Sequence, residues 1–412
     1  MPAASSPLET LLSGFSDAEV STLVETRRDL HRHPELGFEE KRTAGIVARR
    51  LEALGLSPRT GVGRTGVTAD PPSRSALRRA SPDREGSPSI ASAKEGRILL
   101  RADMDGLPLS EETGAPYASI VPGAMHACGH DGHVSINLAV AARLSGAPAA
   151  ARVRYLFQPA EEGAGGARAC EADGILEGVT AAFGLHLWNQ LPVGKIGVNR
   201  GALMAAVDEF AIDVEGPGGH GAAPHETYDA IVAAARIVEA LQTIVSREIS
   251  PLDPAVVTVG SIHGGSAFNI IPKTVRLTGT ARCFSENAHR ALPEKMERIV
   301  RGTAEAAGVT ARLEYKRVNR ATVNNPDMAD LVIGVARRLV GEENVETDTQ
   351  TLGGEDMSVY LDRVPGCFFF VGSAPEGPHR PHHSPVFDID ERALAVGTAV
   401  FEAVAIEAAK RL

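Results

Sequence analysis

Hydrophobic and polar positions recur along this chain with two periods, and the changes from one to the other predict its elements. Ser16-Asp17-Ala18-Glu19 reads as a capping box that opens a helix through about His33. Pro34 and Gly37 break that helix before a second one, which Gly55 ends. From residue 97 the pattern predicts a strand over 97–102, a helix after Asp131, a strand over 153–158, a helix near 166–176 and a strand over 181–187. Strands that alternate with helices in this way predict an α/β sheet with helical crossovers. Ligands of such sheets gather beyond the carboxyl ends of the strands. Asp103 and Asp105 follow the first strand, Glu161 and Glu162 the second, and His186 closes the third.

Beyond about residue 203 the order becomes β-α-β-β-α-β, with strands over 207–214, 255–262, 274–282 and 311–315 and helices over 228–247 and 286–307. That order predicts a small ferredoxin-like layer. The α/β pattern then resumes with a helix over 327–339, a strand over 367–371 and a last helix from Glu391. The chain therefore reads as a discontinuous catalytic domain, 1–202 and 318–412, with a lid domain, 203–317, inserted into it. Residues 69–95 fit neither period. They are rich in Pro, Ser and Arg, too poor in apolar groups to offset the entropy of ordering, and are expected to form a mobile surface insert.

A length of 412 residues exceeds one ordinary core and favours two domains or one large α/β unit. A formal net charge of −10 argues against nucleic acid as a partner, because phosphate binding wants a basic surface. A small organic substrate is the better expectation. Four scattered cysteines, Cys128, Cys170, Cys283 and Cys367, form no disulfide framework and suit a reducing cytoplasm. The opening MPAASSPLETLL lacks the charged and apolar regions of an export signal, and no run of about 18 apolar residues occurs. Neither export nor membrane spanning is expected.

The chemistry concentrates in MHACGHDGH, residues 125–133, which packs one thiol, three imidazoles and a carboxylate into nine residues. A Cys and a His two apart can aim sulfur and nitrogen at one divalent ion, and zinc favours such mixed ligands. The competing reading is a polar turn in which Asp131 caps the following apolar helix. Glu161-Glu162 alone would be a solvated helix start, yet the pair follows the apolar strand YLFQ and precedes the flexible tract Gly163-Ala164-Gly165-Gly166. One carboxylate could bind metal while its neighbour moves protons. His186 in GLHLW and the pair His382-His383 are, taken singly, weaker signals.

Taken together, the strings HRHPELGFEE, LRADMDGLP, MHACGHDGH, FQPAEEG, GLHLW, GGHGAAPH, LQTIVSRE, VVTVGSIHGGSAFNIIP, GGEDM and HHSP resemble, in order, the aminoacylase-like amidohydrolases. This is the zinc-peptidase superfamily branch of hippurate hydrolases and plant auxin-conjugate hydrolases. The resemblance implies an α/β metallopeptidase-type catalytic domain with an inserted ferredoxin-like α+β lid and dimerisation domain. It implies two divalent metal ions per subunit, zinc, manganese, cobalt or nickel, held by Cys128, His130, Glu162, His186 and His383, with the Cys128 thiolate bridging. It makes Glu161 the general base and His220 the oxyanion-stabilising lid residue that reaches a partner subunit's site. Asn269, Arg282 and the backbone at Gly354 correspond to groups that hold the substrate's carboxylate, and Asp105 to an acid that orients a ligand. The insert 69–95 stands where relatives carry a short strand pair, which leaves that sheet edge in doubt. Gly353 replaces a frequent Ser.

The expected activity is hydrolysis of an N-acyl or N-aroyl amino acid to a carboxylic acid and a free amino acid, in a cytoplasmic homodimer. A dipeptidase or other exopeptidase is the alternative within enzymes. A metal-free binding protein is the alternative outside them, and it should have lost the ligands or base that this chain retains.

Overall fold

The computed structural model describes residues 6–70 and 96–412. The chain divides into two compact units, unit 1 comprising Met1–Leu203, Val323–Thr349 and Val359–Leu412, and unit 2 comprising Met204–Thr322 and Gln350–Ser358. Unit 1 begins with helices α1 (Pro7–Leu12), α2 (Asp17–Arg32) and α3 (Lys41–Ala53), then strands β1 (Ser57–Val62), β2 (Gly66–Asp70) and β3 (Arg97–Asp103). It continues through α4 (His130–Leu144), β4 (Val153–Gln158), α5 (Gly166–Ala172), β5 (Val179–Pro192) and β6 (Ile196–Gly197). Unit 2 contains β7 (Ala206–Glu215), β8 (Gly219–His220), α6 (Ala230–Thr243), β9 (Ala255–Gly264), β10 (Ile270–Ile271), β11 (Thr274–Cys283), α7 (Glu286–Ala306) and β12 (Thr310–Asn319). Unit 1 resumes with α8 (Pro326–Val340), β13 (Val345–Glu346), β14 (Gly366–Ala374) and α9 (Arg392–Arg411).

The sheet of unit 1 runs in the order β1-β2-β4-β3-β5-β14-β6-β13. Its centre, β4-β3-β5-β14, is parallel throughout, so the carboxyl ends of these strands share one edge. Every residue of β4 is buried and so is all of β3 but its first, the uniform burial of strands covered on both faces. The helix opened by Ser16 carries the expected capping box, in which Ser16 accepts from the Glu19 N–H and the Glu19 side chain answers the Ser16 N–H.

One expectation is corrected here and one competing reading is set aside. Ala69 and Asp70 belong to β2 rather than to an irregular insert: Ala69 pairs with Tyr155 and Asp70 with Ser57. Asp70 also receives two hydrogen bonds from Arg154, at 2.6 and 2.9 Å. The sheet edge that the sequence left in doubt is thus a hairpin, β1–β2, closed by a turn in which Gly63 has φ +55°. A Cβ on Gly63 would fall 2.6 Å from the Cys170 sulfur, so a side chain there is excluded by both conformation and space. The rest of the proposed insert, 71–95, lies outside the described residues.

Secondly, Asp131 does not cap α4. That helix starts on Gly129, in the left-handed region at φ 89°, with no side-chain cap. Asp131 is fully buried and accepts from Arg27 Nε at 2.9 Å and lies 2.8 Å from His31 Nδ1, both on α2. Arg27, itself fully buried, also reaches Asp388 at 2.8 Å. Against the cost of burial, the Arg27 and His31 charges hold the Asp131 carboxyl well below the ordinary range.

Unit 2 has the four-stranded antiparallel order β9-β11-β7-β12, the strand arrangement of a ferredoxin-like layer. Its apolar core forms between the sheet and α6 and α7, around Phe210, Ile212, Ile237, Leu277 and Met296.

Arg27→Ala leaves the buried Asp131 carboxylate with His31 as its remaining partner. Denaturant unfolding is expected to show a loss of about 3–5 kcal/mol, and a loss below 1 kcal/mol would contradict the role of this pair.

Candidate metal centre

The parallel edge of unit 1 collects the candidate ligands. β3 ends at Asp103 and leads into Asp105, β4 leads through Pro159-Ala160 to Glu161-Glu162, His186 lies on β5, and Cys128 and His130 stand at the amino end of α4. Ligand atoms of Cys128, His130 and His186 lie within 4.8 Å of one another, and so do those of Cys128, Glu162 and His383. The two groups share the Cys128 sulfur. A third group of the same closeness joins His130, Glu161 and Glu162.

Each side chain is oriented by a second contact. His130 directs Nδ1 to the Asp105 carbonyl at 3.0 Å and lies 3.3 Å from its carboxylate, while its Nε2 is buried with no hydrogen-bond partner. The other carboxylate oxygen of Asp105 accepts from the Glu162 N–H at 3.0 Å. His186 commits Nδ1 to the Leu187 carbonyl at 2.7 Å, which turns Nε2 to within 3.4 Å of the Cys128 sulfur. His383 sits in the left-handed region at φ 59°, held by donation of its N–H to the Ala127 carbonyl at 2.8 Å. Its Nε2 lies 3.2 Å from Glu162 Oε1.

The electrostatics call for a cation. Burial, reinforced by Glu162, Glu161 and Asp103, pushes the Cys128 thiol well above its ordinary value. Although burial opposes a charged His130, the Asp103, Asp105 and Glu162 carboxylates raise it to about 10. Burial drives His186 well below its ordinary value and leaves it a neutral ring. A soft sulfur, an imidazole nitrogen without a hydrogen bond, a neutral imidazole and converging carboxylates form a donor set that divalent ions of the zinc type favour. The residues present fit such a group.

Unit 2 holds the remaining expected residues in two places. His220 and Asn269 meet at the antiparallel β8–β10 pair, where the Gly221 N–H donates to the Asn269 carbonyl at 2.8 Å and His220 pairs with Ile270. The exposed His220 accepts the Ala222 N–H on Nδ1 at 3.0 Å. In the neutral ring that leaves the proton on Nε2. Arg282 on β11 is half-buried and donates to the Leu352 carbonyl at 2.9 Å. Gly354 packs against it, since a Cβ there would lie 3.9 Å from Arg282 Nη1 and 2.2 Å from Val207 Cγ2. No described carboxylate pairs with Arg282, and burial lowers its pKa.

The profile of peptidase family M20/M25/M40 matches residues 99–407. The chain belongs to this family. Among relatives of this M20-family chain, N-acetylcysteine deacetylase of Bacillus subtilis is 39% identical over 93% of the chain and 96% of its own length. Thermostable carboxypeptidase 1 of Saccharolobus solfataricus is 36% identical over 93% of the chain and 95% of its own. The crystal structure of the Bacillus subtilis YXEP protein, described as a dinuclear metal binding peptidase from the M20 family, shares 34% identity with a TM-score of 0.80, covering 96% of this chain and all 100% of that one. The M20-family chain is accordingly a hydrolase that acts on amide bonds.

The family fold also shows what the histidines of these motifs outside the expected ligand set do. His133 Nδ1 meets Asp103 at 2.5 Å, its Nε2 accepts the Leu187 N–H at 2.9 Å, and Arg101 donates to Asp103 at 2.6 Å. With both nitrogens engaged, His133 braces the strand that carries His186. His382 likewise turns from the cluster: it bonds the Leu187 carbonyl at 2.9 Å and stacks on Trp188 at 4.8 Å. A buried Arg in the middle of a strand, as at Arg101, was the available sequence signal for the first of these.

Proposed function

We propose that the chain is a metal-dependent amidohydrolase that cleaves N-acyl or N-aroyl amino acids, hippurate-like substrates, to a carboxylic acid and a free amino acid. The observation that carries this reading is the presence of Glu161, 9% exposed, in one cluster with His130 and Glu162, beside the sulfur and imidazole groups. Cys128, His130, Glu162, His186 and His383 would hold two divalent ions, zinc, manganese, cobalt or nickel. Such a pair supplies a Lewis acid for the amide carbonyl and acidifies a water.

The chain's own residues divide the remaining work. Glu161 takes the proton of the attacking water and returns it to the leaving nitrogen, as general base and then general acid. His220 Nε2–H donates to the developing oxyanion. Arg282, a half-buried cation without a described carboxylate partner, binds the substrate's carboxylate with Asn269 and the backbone at Gly354. Asp105 orients His130 and the Glu162 backbone.

The same reading makes the protein a cytoplasmic homodimer joined through unit 2. β9 lies at the sheet edge, and Ile231, Val232, Ile262, Phe268 and Ile270 are exposed apolar groups of unit 2. Four free buried thiols suit a reducing compartment, and no helix among the described residues is long and apolar enough to cross a membrane. An exopeptidase is the second reading, favoured by the carboxypeptidase relative. Turnover of N-acetyl and N-benzoyl amino acids against dipeptides separates the two.

Glu161→Gln is expected to retain metal and lose roughly 10²-fold or more in rate, whereas Glu162→Gln should lose metal. Equal metal loss in the two variants, by elemental analysis, would contradict this division. Arg282→Ala should weaken N-acyl amino acids far more than the corresponding amides, and a parallel loss on both would make Arg282 structural. Mixing His220→Ala with Glu161→Gln protein should restore up to half the activity per heterodimer, because one of its sites keeps both groups. Confirmed subunit exchange without recovery would refute the shared site.

A further inference from the structure

The turn that follows β4 carries both proposed catalytic carboxylates, and its backbone is strained. Ala160, immediately before Glu161, has φ +53°, a conformation that alanine rarely adopts and that persists only where the surroundings impose it. Its N–H points at a carboxylate from another part of the chain: Glu40 Oε1 accepts it at 2.8 Å. The second oxygen of Glu40 accepts from the Thr65 hydroxyl in the β1–β2 turn. Glu40 is fully buried, and burial raises its carboxyl above the ordinary pKa despite these bonds.

Glu40 occupies the cap position of α3 and yet makes no side-chain cap for it. That duty falls to Glu35, whose carboxylate accepts the Arg42 and Thr43 N–H groups, each at 2.8 Å. The Glu40 side chain is thereby spared for Ala160. The same segment closes on the turn sterically, since a Cβ on Gly37 would lie 3.1 Å from the Ala160 Cβ. It also touches the neighbouring turn after β3, where the Gly106 N–H donates to the Glu35 carbonyl at 2.8 Å. Ala160 is further tied by its own carbonyl, which accepts from the Gly166 N–H at 3.0 Å.

We propose that Glu40 is a positioning residue for catalysis: its carboxylate clamps the Ala160 N–H to the β1–β2 turn and so fixes the strained bend from which Glu161 and Glu162 project. Glu40 touches neither substrate nor the reacting atoms. It acts through Ala160, and the proposal rests on the assignment of Glu161 and Glu162 made above. A group displaced by about 1 Å can lose on the order of 10²-fold in rate while binding is barely altered.

The test uses the full-length, metal-loaded enzyme. Glu40→Ala should lower kcat about 30-fold and leave KM within about 3-fold. Glu40→Gln should recover most of the loss, because the amide oxygen can accept the Ala160 N–H and the amide nitrogen can donate to the Thr65 hydroxyl. Thr65→Val, which removes one anchor, should cost about 3–5-fold in kcat. Hydrogen exchange of the peptide containing Ala160 supplies a readout independent of activity, and it should quicken at least about tenfold in Glu40→Ala. Wild-type kcat in folded Glu40→Ala, equal deficits for the Ala and Gln variants, or unchanged exchange would overturn the proposal. Should Glu40→Ala fail to fold, Thr65→Val with wild-type kcat and exchange overturns it instead. Glu161→Gln measured in parallel separates the two failures. An active Glu161→Gln enzyme sinks the assignment of the base, whereas an inactive one beside an unaffected Glu40→Ala sinks the clamp alone.

Discussion

Asp105 ties together the three chain segments that form the centre of unit 1. One side of its carboxylate lies against His130 at the start of α4, and the other accepts the Glu162 N–H after β4. Asp105 itself follows β3, so a single buried carboxylate sets the mutual placement of a strand end, a helix start and the bend after a second strand. The parallel register makes this possible, because β3 and β4 run side by side to Asp103 and Gln158 and deliver their loops to the same edge. Every other polar contact at the centre adds to a geometry that this group begins.

The remaining contacts show how a site rich in charge stays ordered inside an apolar sheet protein. Buried ions are tolerated only when paired and hydrogen-bonded. Arg27 and His31 answer Asp131, Arg101 and His133 answer Asp103, and Glu40 is answered by Ala160 and Thr65. These partners come from α2, from β3 and α4, and from the hairpin and the bend. His130 Nε2 makes no hydrogen bond in this network and faces the cluster that the sulfur and carboxylates complete. Strain concentrates in the same region. Ala160 and His383 are two of the few non-glycine residues with positive φ, and each lies within two residues of a proposed functional group or is one.

Unit 2 follows a different logic. Beneath its antiparallel sheet lies an apolar cluster with one buried polar group, Asp208 bonded by His289 and Tyr315, and its proposed chemistry lies apart from that group, on a two-residue strand and at the end of a longer one. His220 depends on a two-residue strand pairing with Ile270, and Arg282 on a carbonyl of the segment Gln350–Ser358. Both contacts join segments distant in sequence.

The pattern of apolar positions determined most of the element order and the α/β and ferredoxin-like classes, residue type marked 125–133 as chemical, and the full ligand set came from the resemblance of the ordered motifs. The first of these rests on local periodicity and the second on residue types that only a metal or proton-transfer role readily explains. The β1–β2 hairpin escaped, since SPRTGV has little apolar alternation and the pairing of β2 with β4 is long-range. Asp131 was legible as a helix cap because its local context is that of one, and only the tertiary structure supplied Arg27 from more than a hundred residues away. The histidine pair shows the same limit. Residues 382 and 383 are chemically identical, and the fold turned one onto Trp188 and the other onto Glu162. Local sequence specifies what a residue can do, whereas partners distant along the chain decide its orientation, its charge and so which of its possible roles it takes.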